Sequence, residues 1–259
     1  MNIEFLTFLR REIHRFLVLY KQTIVPALIS SLLYIIVFGT TLGTRISSID
    51  GVAYINYIVP GLAMMSVINQ AYQNSASSIM QAKYLKFIED ILIAPLSGLQ
   101  VSLGYIIGGA MRGLICGLGI LIMCIILSEM PNAQGEFNIN NWPLTILYLL
   151  TVSWTFSAFG VIIGIIAKSW DEIGSFSNFI FMPMSFLGGV FYSVDMLSEP
   201  WRTISYFNPI YWMISGLRYS TLSIEEVSNI TSLTICLSFS TIFTIIASYL
   251  FKIGYKIKS

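Results

Sequence analysis

The sequence predicts an all-α polytopic membrane protein with six transmembrane helices. Hydrophobic residues occupy 56% of the 259 positions and charged residues only 10%, whereas a soluble domain carries about 25% charged residues. Six apolar runs are long enough to cross a bilayer core, which takes roughly 20 helical residues. The runs are 24–42, 54–80, 101–127, 144–167, 173–192 and 231–251. A single transmembrane domain is therefore predicted over residues 1–259.

The pattern of residues 1–22 predicts an amphipathic helix that lies on the membrane surface before the first span. Apolar side chains recur every three or four positions, and basic side chains fall mostly on the opposite side. The apolar set is Ile3, Leu6, Leu9, Ile13, Phe16 and Tyr20, and the polar set is Arg10, Arg11, His14 and Arg15.

The second span, 54–80, carries a polar stripe down one helical face. Its members recur every three or four residues: Ser66, Asn69, Gln70, Gln73 and Ser77. In lipid such a stripe must face other helices or a water-filled path. Interhelical hydrogen bonding and the lining of a transport path are both open interpretations.

A charged segment, 83–97, separates the second span from the third. Four charges within eight residues are too costly for a membrane-spanning helix, so the segment is predicted to be a short amphipathic helix at the membrane surface. Leu85, Ile88 and Leu92 share one face of that helix, and Pro95 ends it. The helix either docks onto something outside the membrane or only anchors the two spans.

The third span is rich in glycine and contains one arginine. Gly104 and Gly108, and likewise Gly109 and Gly113, have the small-xxx-small spacing that allows helices to approach closely. Close packing is therefore predicted here, rather than a hinge. Arg112 either extends to the cytoplasmic headgroups, pairs with an acid on a neighbouring helix, or lines a hydrated cavity.

The region 193–221, between the fifth and sixth spans, is neither a clean span nor a simple loop. It mixes charged and aromatic residues and contains two prolines. Two short re-entrant helices that dip into the membrane interface, broken at Asn208-Pro209, fit that mixture. The residues singled out for this outer element are Pro200, Trp201, Asn208, Pro209 and Tyr211.

The distribution of lysine and arginine predicts the orientation, because these residues favour the cytoplasmic side. With both termini in the cytoplasm, ten of them lie inside and three outside. The inside set is Arg10, Arg11, Arg15, Lys21, Lys83, Lys86, Lys168, Lys252, Lys256 and Lys258; the outside set is Arg45, Arg202 and Arg218. Segment 83–97 is then cytoplasmic, and 193–221 is extracytoplasmic.

The sequence offers no catalytic constellation and no metal site. It lacks GxxxxGK[ST] and HExxH, His14 is its one histidine, and its three cysteines fall inside apolar runs. No pair of acids lies deep in a span, as a proton-driven pump often needs. If the protein transports something, the energy is expected to enter through a partner on the cytoplasmic face.

The chain resembles the ABC-2 type permeases, the membrane subunits of bacterial ABC exporters, and within them the YadH-like group. The resemblance covers nearly the whole chain, with its motifs in the family's order. They are EIHRF (12–16), YINYIVPGLAMMSVI (54–68), AYQNSASS (71–78), IEDILIAPLS (88–97), FLGGVFYS (186–193) and NPIYWMISGLRY (208–219).

The resemblance implies an exporter half in the bacterial inner membrane that dimerises and binds separate ATPase subunits, which hold ATP and magnesium. Segment 83–97 becomes the coupling helix that docks on the ATPase, through Lys83, Tyr84, Lys86, Phe87, Glu89, Asp90, Leu92 and Pro95. No cofactor is expected on this chain itself. Amphiphiles, lipids, polysaccharides and drugs are all open as substrates. An ion-gradient-driven secondary transporter and a non-transporting membrane scaffold are the alternatives.

Overall fold

The apolar runs form long helices in a computed structural model, which describes residues 3–43, 45–46, 48–129 and 136–256, without the side chains of residues 40 and 92. The helices are α1 Ile3–Val18, α2 Tyr20–Thr23, α3 Val25–Gly43, α4 Tyr54–Tyr84, α5 Ile88–Ile93, α6 Gly98–Ser128, α7 Trp142–Ile166, α8 Trp170–Phe176, α9 Met182–Leu187, α10 Trp201–Tyr206, α11 Pro209–Leu222 and α12 Asn229–Ile253. A π-helical turn, Ser177–Phe181, joins α8 to α9, and Val194–Met196 is a 3-10 turn.

The all-α prediction needs one correction, in the short segment between the first and second predicted spans. There the chain forms a small antiparallel hairpin of β1 (Ser48–Ile49) and β2 (Val52–Ala53). Asp50 and Gly51 connect the strands with φ of 49° and 78°. An Asp-Gly pair readily adopts positive φ at both positions, which matches the twist of a two-residue hairpin.

Four stretches among the described residues are long and apolar enough to cross a membrane: Tyr20–Gly43, Gly98–Ser128, Trp142–Ile166 and Asn229–Ile253. They correspond to the predicted first, third, fourth and sixth spans. The predicted second span is α4, whose 31 residues extend about 46 Å. The predicted fifth span is the continuous helical run from Trp170 to Leu187.

Helix α4 lies at the centre of the bundle and packs against α3, α6, α7 and α11. The glycines of α6 make this packing close. A Cβ at Gly109 would lie 2.1 Å from Ser75 Oγ on α4 and 2.4 Å from Ser157 Oγ on α7. The two hydroxyls are 2.6 Å apart and share a hydrogen bond. The close packing predicted from the glycine spacing is therefore confirmed.

Local capping signals fix several helix ends. Ser97 forms a capping box with Gln100 at the start of α6. Asn141 caps α7, and Asn208 caps α11 immediately before Pro209. Because proline suits the first turn of a helix, the predicted break at Asn208-Pro209 is the junction between α10 and α11.

The predicted surface helix 83–97 is shorter in the structure. Helix α4 continues through Tyr84, and a turn with Lys86 at φ 60° follows. Only Ile88–Ile93 is helical afterwards, and Ala94 adopts the extended conformation that a following proline favours. The spacing of apolar residues in 83–97 fits one continuous helix, so it gave no sign of the turn at 85–87.

Candidate functional site

The segment after α4 presents charged and apolar side chains together on the surface. Ile88 and Ile91 are buried and attach α5 to the bundle, whereas the surrounding side chains are exposed. The exposed set is Tyr84, Leu85, Lys86, Glu89, Asp90, Ile93 and Pro95, with Phe87 half-buried. Leu92, also a predicted docking residue, belongs to α5, but its side chain lies outside the described part. Exposed apolar groups beside charges are typical of a protein-docking surface.

Lys83 is placed differently from the other predicted docking residues. Its ammonium donates hydrogen bonds to the carbonyl oxygens of Gly164, Ile165 and Ala167 at 3.3, 2.9 and 2.8 Å. These carbonyls end α7, where unpaired acceptors and the helix dipole favour a cation. Lys83 therefore fastens the end of α4 to the end of α7.

Helix α1 and the α5 segment border a shared groove of about 760 Å³. Its walls are mostly apolar: Ile3, Glu4, Thr7, Phe8, Arg11, Phe87, Asp90, Ile91, Ala94 and Leu96. The Arg11 guanidinium lies over Phe8 and Phe87, 5.0 and 5.2 Å from the ring centroids. Sequence reasoning treated α1 and 83–97 as separate elements and did not predict this groove.

A buried carboxylate fixes α1 to the bundle. Glu12 is 1% exposed and accepts a 2.5 Å hydrogen bond from Ser78 Oγ on α4. It also contacts Arg11 at 2.9 Å and Arg15 at 3.7 Å. Burial lowers the pKa of Arg15, and the Glu12 charge partly offsets that effect. The signal in the sequence was an acid between Phe8 and Phe16 on one helical face.

Arg15 strengthens the same attachment. Its guanidinium donates to the backbone carbonyl of Asn74 at 2.9 Å and to the side-chain oxygen of Asn74 at 3.1 Å. Both contacts from α1 thus reach α4, at Asn74 and Ser78. A displacement of α1 would act directly on the central helix.

The polar stripe of α4 coincides with its least covered face. From Tyr54 to Met80 every residue is buried except Ile55, Met65 and the five stripe residues, which are half-buried. Gln73 donates to Ser177 Oγ at 3.0 Å, whereas Asn69 and Ser77 bond to carbonyls of their own helix. Ser177, the partner of Gln73, is a polar residue on this side that sequence reasoning missed.

Arg112 contacts an amide and a carbonyl. It donates a hydrogen bond to Gln70 Oε1, a stripe residue, and lies 3.4 Å from the Thr23 carbonyl oxygen. Arg112 was expected to extend to the headgroups, to pair with an acid or to line a hydrated cavity. None of these alternatives describes the contacts fully, since the partner on α4 is a neutral amide. Gln70 also lines a cavity of about 210 Å³ between α3 and α4.

The predicted outer element forms two helices with mixed exposure. Trp201 and Pro200 are exposed at the start of α10, whereas Asn208 and Tyr211 are buried. Asn208 donates to the Met184 carbonyl at 2.5 Å, and Tyr211 packs edge-on against Tyr206. Asn208 and Tyr211 therefore hold the junction of α10 and α11 in place.

The second helix of this outer element forms a buried ion pair with the loop that follows it, and sequence reasoning missed this pair. Arg218 of α11 contacts Glu226 at 2.7 Å and donates to the Gly189 carbonyl at 2.8 Å. Its guanidinium lies 4.0 Å from the ring centroid of Tyr57, whose hydroxyl donates to Glu226 at 2.5 Å. The network ties α11 and the 223–228 loop to α4.

The fold and these surfaces define a helical membrane protein with a polar face in its central helix and a surface of mixed charged and apolar side chains after that helix. The ABC-2 type transporter family matches residues 3–222. The chain belongs to this family, and is therefore the membrane permease subunit of an ABC transporter.

Named relatives agree with this assignment. The chain is 40% identical over 249 residues to the inner membrane transport permease YadH of Escherichia coli K12, covering 96% of this chain and 94% of the relative. It is 23% identical over 213 residues to nodulation protein J of Rhizobium leguminosarum bv. viciae, covering 80% and 78%. For nodulation protein J of Rhizobium meliloti the identity is 21% over 201 residues, covering 76% and 72%.

Proposed function

We propose that this chain forms half of the translocation path of an ATP-driven exporter, as a dimer, and that separate ATPase subunits bind its cytoplasmic face. The observation that carries the proposal is the position of the polar stripe on the least covered face of α4. A stripe of serine and amide groups facing lipid would lose hydrogen bonds that the bilayer cannot replace. Asn69, Gln70, Gln73 and Ser77 each make a hydrogen bond within the chain, whereas Ser66 Oγ has no partner among the described residues. A second copy and a hydrated path between the copies would satisfy the hydrogen-bonding capacity that remains.

The proposed ATPase-docking surface combines the 84–97 segment with the groove that it shares with α1. Its exposed acids Glu89 and Asp90 supply specific charge, and Phe87 and the exposed Ile93 supply apolar contact. Lys83 acts behind this surface as a brace between α4 and α7. ATP and magnesium belong to the partner subunit in this proposal.

In the proposed mechanism, two connections transmit motion from the docking surface to the path: the turn 85–87 and the contacts of α1 with α4. Closure of the two ATPases on ATP moves both α5 helices together. The three-residue turn 85–87 passes that movement to α4, and α1 passes it on through Glu12 and Arg15. Tilting of α4 then changes the spacing of the two stripes and opens the path outward.

The proposed topology has six spans and both termini in the cytoplasm. Helix α4 and the run from Trp170 to Leu187 supply the second and fifth spans, and α10 with the start of α11 enters the outer leaflet. This topology keeps the lysine and arginine bias on the inside. A cysteine at Lys86 should be labelled only from the cytoplasm, and one at Phe207 only from outside.

The direct test is co-purification with the ATPase. Glu89→Lys combined with Asp90→Lys should leave the permease in the membrane but abolish recovery of the ATPase, because both carboxylates lie exposed on the docking surface. The matched control is Glu129→Lys with Glu225→Lys, which makes the same charge change at exposed acids predicted to lie outside. Equal ATPase recovery from both double variants would reject the docking surface.

Transport by reconstituted vesicles tests the function itself. ATP-dependent export that needs the ATPase is expected. Transport that follows a proton gradient without any ATPase would support a secondary transporter, and stable partner binding without transport would support a scaffold.

A further inference from the structure

We infer that the cavity between α3 and α4 binds the anionic headgroup of a membrane amphiphile, with Arg112 supplying the positive charge. This inference deepens the proposed function and rests on it only for identifying the amphiphile as cargo. The cavity is about 210 Å³, far larger than the roughly 10–15 Å³ that a single water molecule needs.

The lining of the cavity is itself amphiphilic. Ser30, Ser31, Ser66, Asn69 and Gln70 provide hydroxyl and amide groups, whereas Pro26, Ala27, Tyr34, Leu62 and Met65 provide an apolar surface. Ser66 Oγ is buried and has no hydrogen-bond partner among the described residues. Buried polar groups in native proteins are nearly always paired, so a ligand atom is the expected partner. A purely apolar lipid tail would leave the polar wall unsatisfied.

The charge around the cavity is unbalanced. Arg112 donates to Gln70, which lines the cavity, and within the described ranges no carboxylate lies within ion-pair distance of Arg112. The Arg112 Nε is buried and also lacks a partner there. The nearby pair of Arg11 and Arg15 already shares the Glu12 carboxylate. Glu12 is therefore already occupied by two arginines of α1 and is not a partner of Arg112.

An uncompensated cation within a membrane helix is costly and normally has a counter-ion. Here the counter-ion has to come from outside the described chain. A phosphate or carboxylate at the Gln70 end of the cavity would accept charge-assisted hydrogen bonds from Arg112. The attached chain would lie along Leu62 and Met65, on the face of α4 proposed to line the path.

The test measures selective lipid binding by the purified permease, without ATPase or ATP, so that it can fail independently of the transport proposal. The protein is reconstituted in phosphatidylcholine vesicles with a trace of spin-labelled phosphatidylglycerol or spin-labelled phosphatidylcholine. The protein-bound fraction of each label is read from its electron paramagnetic resonance spectrum. The wild type should prefer the anionic label by about tenfold, the effect of one charge-assisted contact.

Two variants remove the free positive charge in different ways. Arg112→Gln deletes the charge, and Gln70→Glu places a carboxylate beside Arg112 and neutralises it with almost no change of shape. Both should reduce the preference to near one, whereas Arg112→Lys should keep most of it. Arg202→Gln, the same substitution at an arginine paired with Asp195 in the outer element, should change nothing.

The inference is overturned if either folded variant, Gln70→Glu or Arg112→Gln, retains the wild-type preference. It is also overturned if millimolar inorganic phosphate displaces the lipid label as readily as unlabelled phosphatidylglycerol does, because the site would then bind a soluble anion. Because Gln70→Glu adds an ion pair, it keeps the test decisive if Arg112→Gln does not fold.

Discussion

The buried pair of Arg218 and Glu226 makes the sharpest prediction about stability. Their side chains are 1% and 4% exposed, and their nearest nitrogen and oxygen atoms are 2.7 Å apart. Glu226→Gln keeps the shape of the side chain and an oxygen to accept from Tyr57, but it removes the charge that compensates Arg218. The arginine would then remain buried without a counter-charge.

The expected cost of Glu226→Gln is about 3–5 kcal/mol, the range for removing one partner of a buried ion pair. Adding Arg218→Met removes the stranded charge and fills most of the arginine stem. The Gly189 carbonyl then loses the donor that now lies 2.8 Å away, which costs about 1–3 kcal/mol. The double variant should therefore be more stable than the Glu226→Gln single variant.

The free energy of unfolding can be measured by titrating detergent-solubilised protein with a denaturing detergent and following tryptophan fluorescence. Asp195→Asn is the matched control, because the pair of Asp195 and Arg202 has the same 2.7 Å separation but is 59% and 41% exposed. Exposed pairs contribute little to stability, so no measurable change is expected there. Equal effects of Glu226→Gln and Asp195→Asn, or a double variant less stable than the single variant, would refute the reasoning.

Two further predictions use the same unfolding measurement. Lys83→Met should lower the free energy of unfolding by about 1–2 kcal/mol, because it removes the cation from the carboxyl end of α7. Lys86→Met, at an exposed turn position, should leave it unchanged. Equal effects would contradict a bracing role for Lys83. Gly61→Ala should cost about 1–3 kcal/mol, since its Cβ would lie 2.6 Å from the Val190 carbonyl oxygen. Gly174→Ala, where a Cβ meets nothing within 4 Å, should be neutral or slightly stabilising, and a comparable loss at both glycines would reject the steric explanation.

Much of the fold follows from local patterns. Apolar runs of sufficient length predicted the long helices, and the glycine spacing predicted the close approach of α6 to its neighbours. Asn208-Pro209 marked a helix junction because its capping chemistry is local. The polar stripe was visible because a helix repeats every 3.6 residues. These features need no knowledge of distant parts of the chain.

The candidate site depends more on tertiary structure. Segment 83–97 has the period of one helix, yet the chain turns at Lys86. Lys83 was predicted to be a docking residue because it is a charged residue in this segment. Its ammonium instead donates to carbonyls at the end of α7, more than 80 residues away. The groove between α1 and α5 depends on where α1 packs, which is set by Glu12 and Arg15 on α4 and by Phe8 against Tyr105 of α6.

The sequence by itself determined the long apolar helices and the polar face of α4, because period and composition are properties of neighbouring residues. Only the tertiary structure decided which charges are paired. Arg218 pairs with Glu226, Arg112 bonds to an amide, and the polar stripe lies on the least covered face of α4. The physical reason is that the energy of a buried charge depends on partners that packing, not sequence distance, brings within a few ångströms.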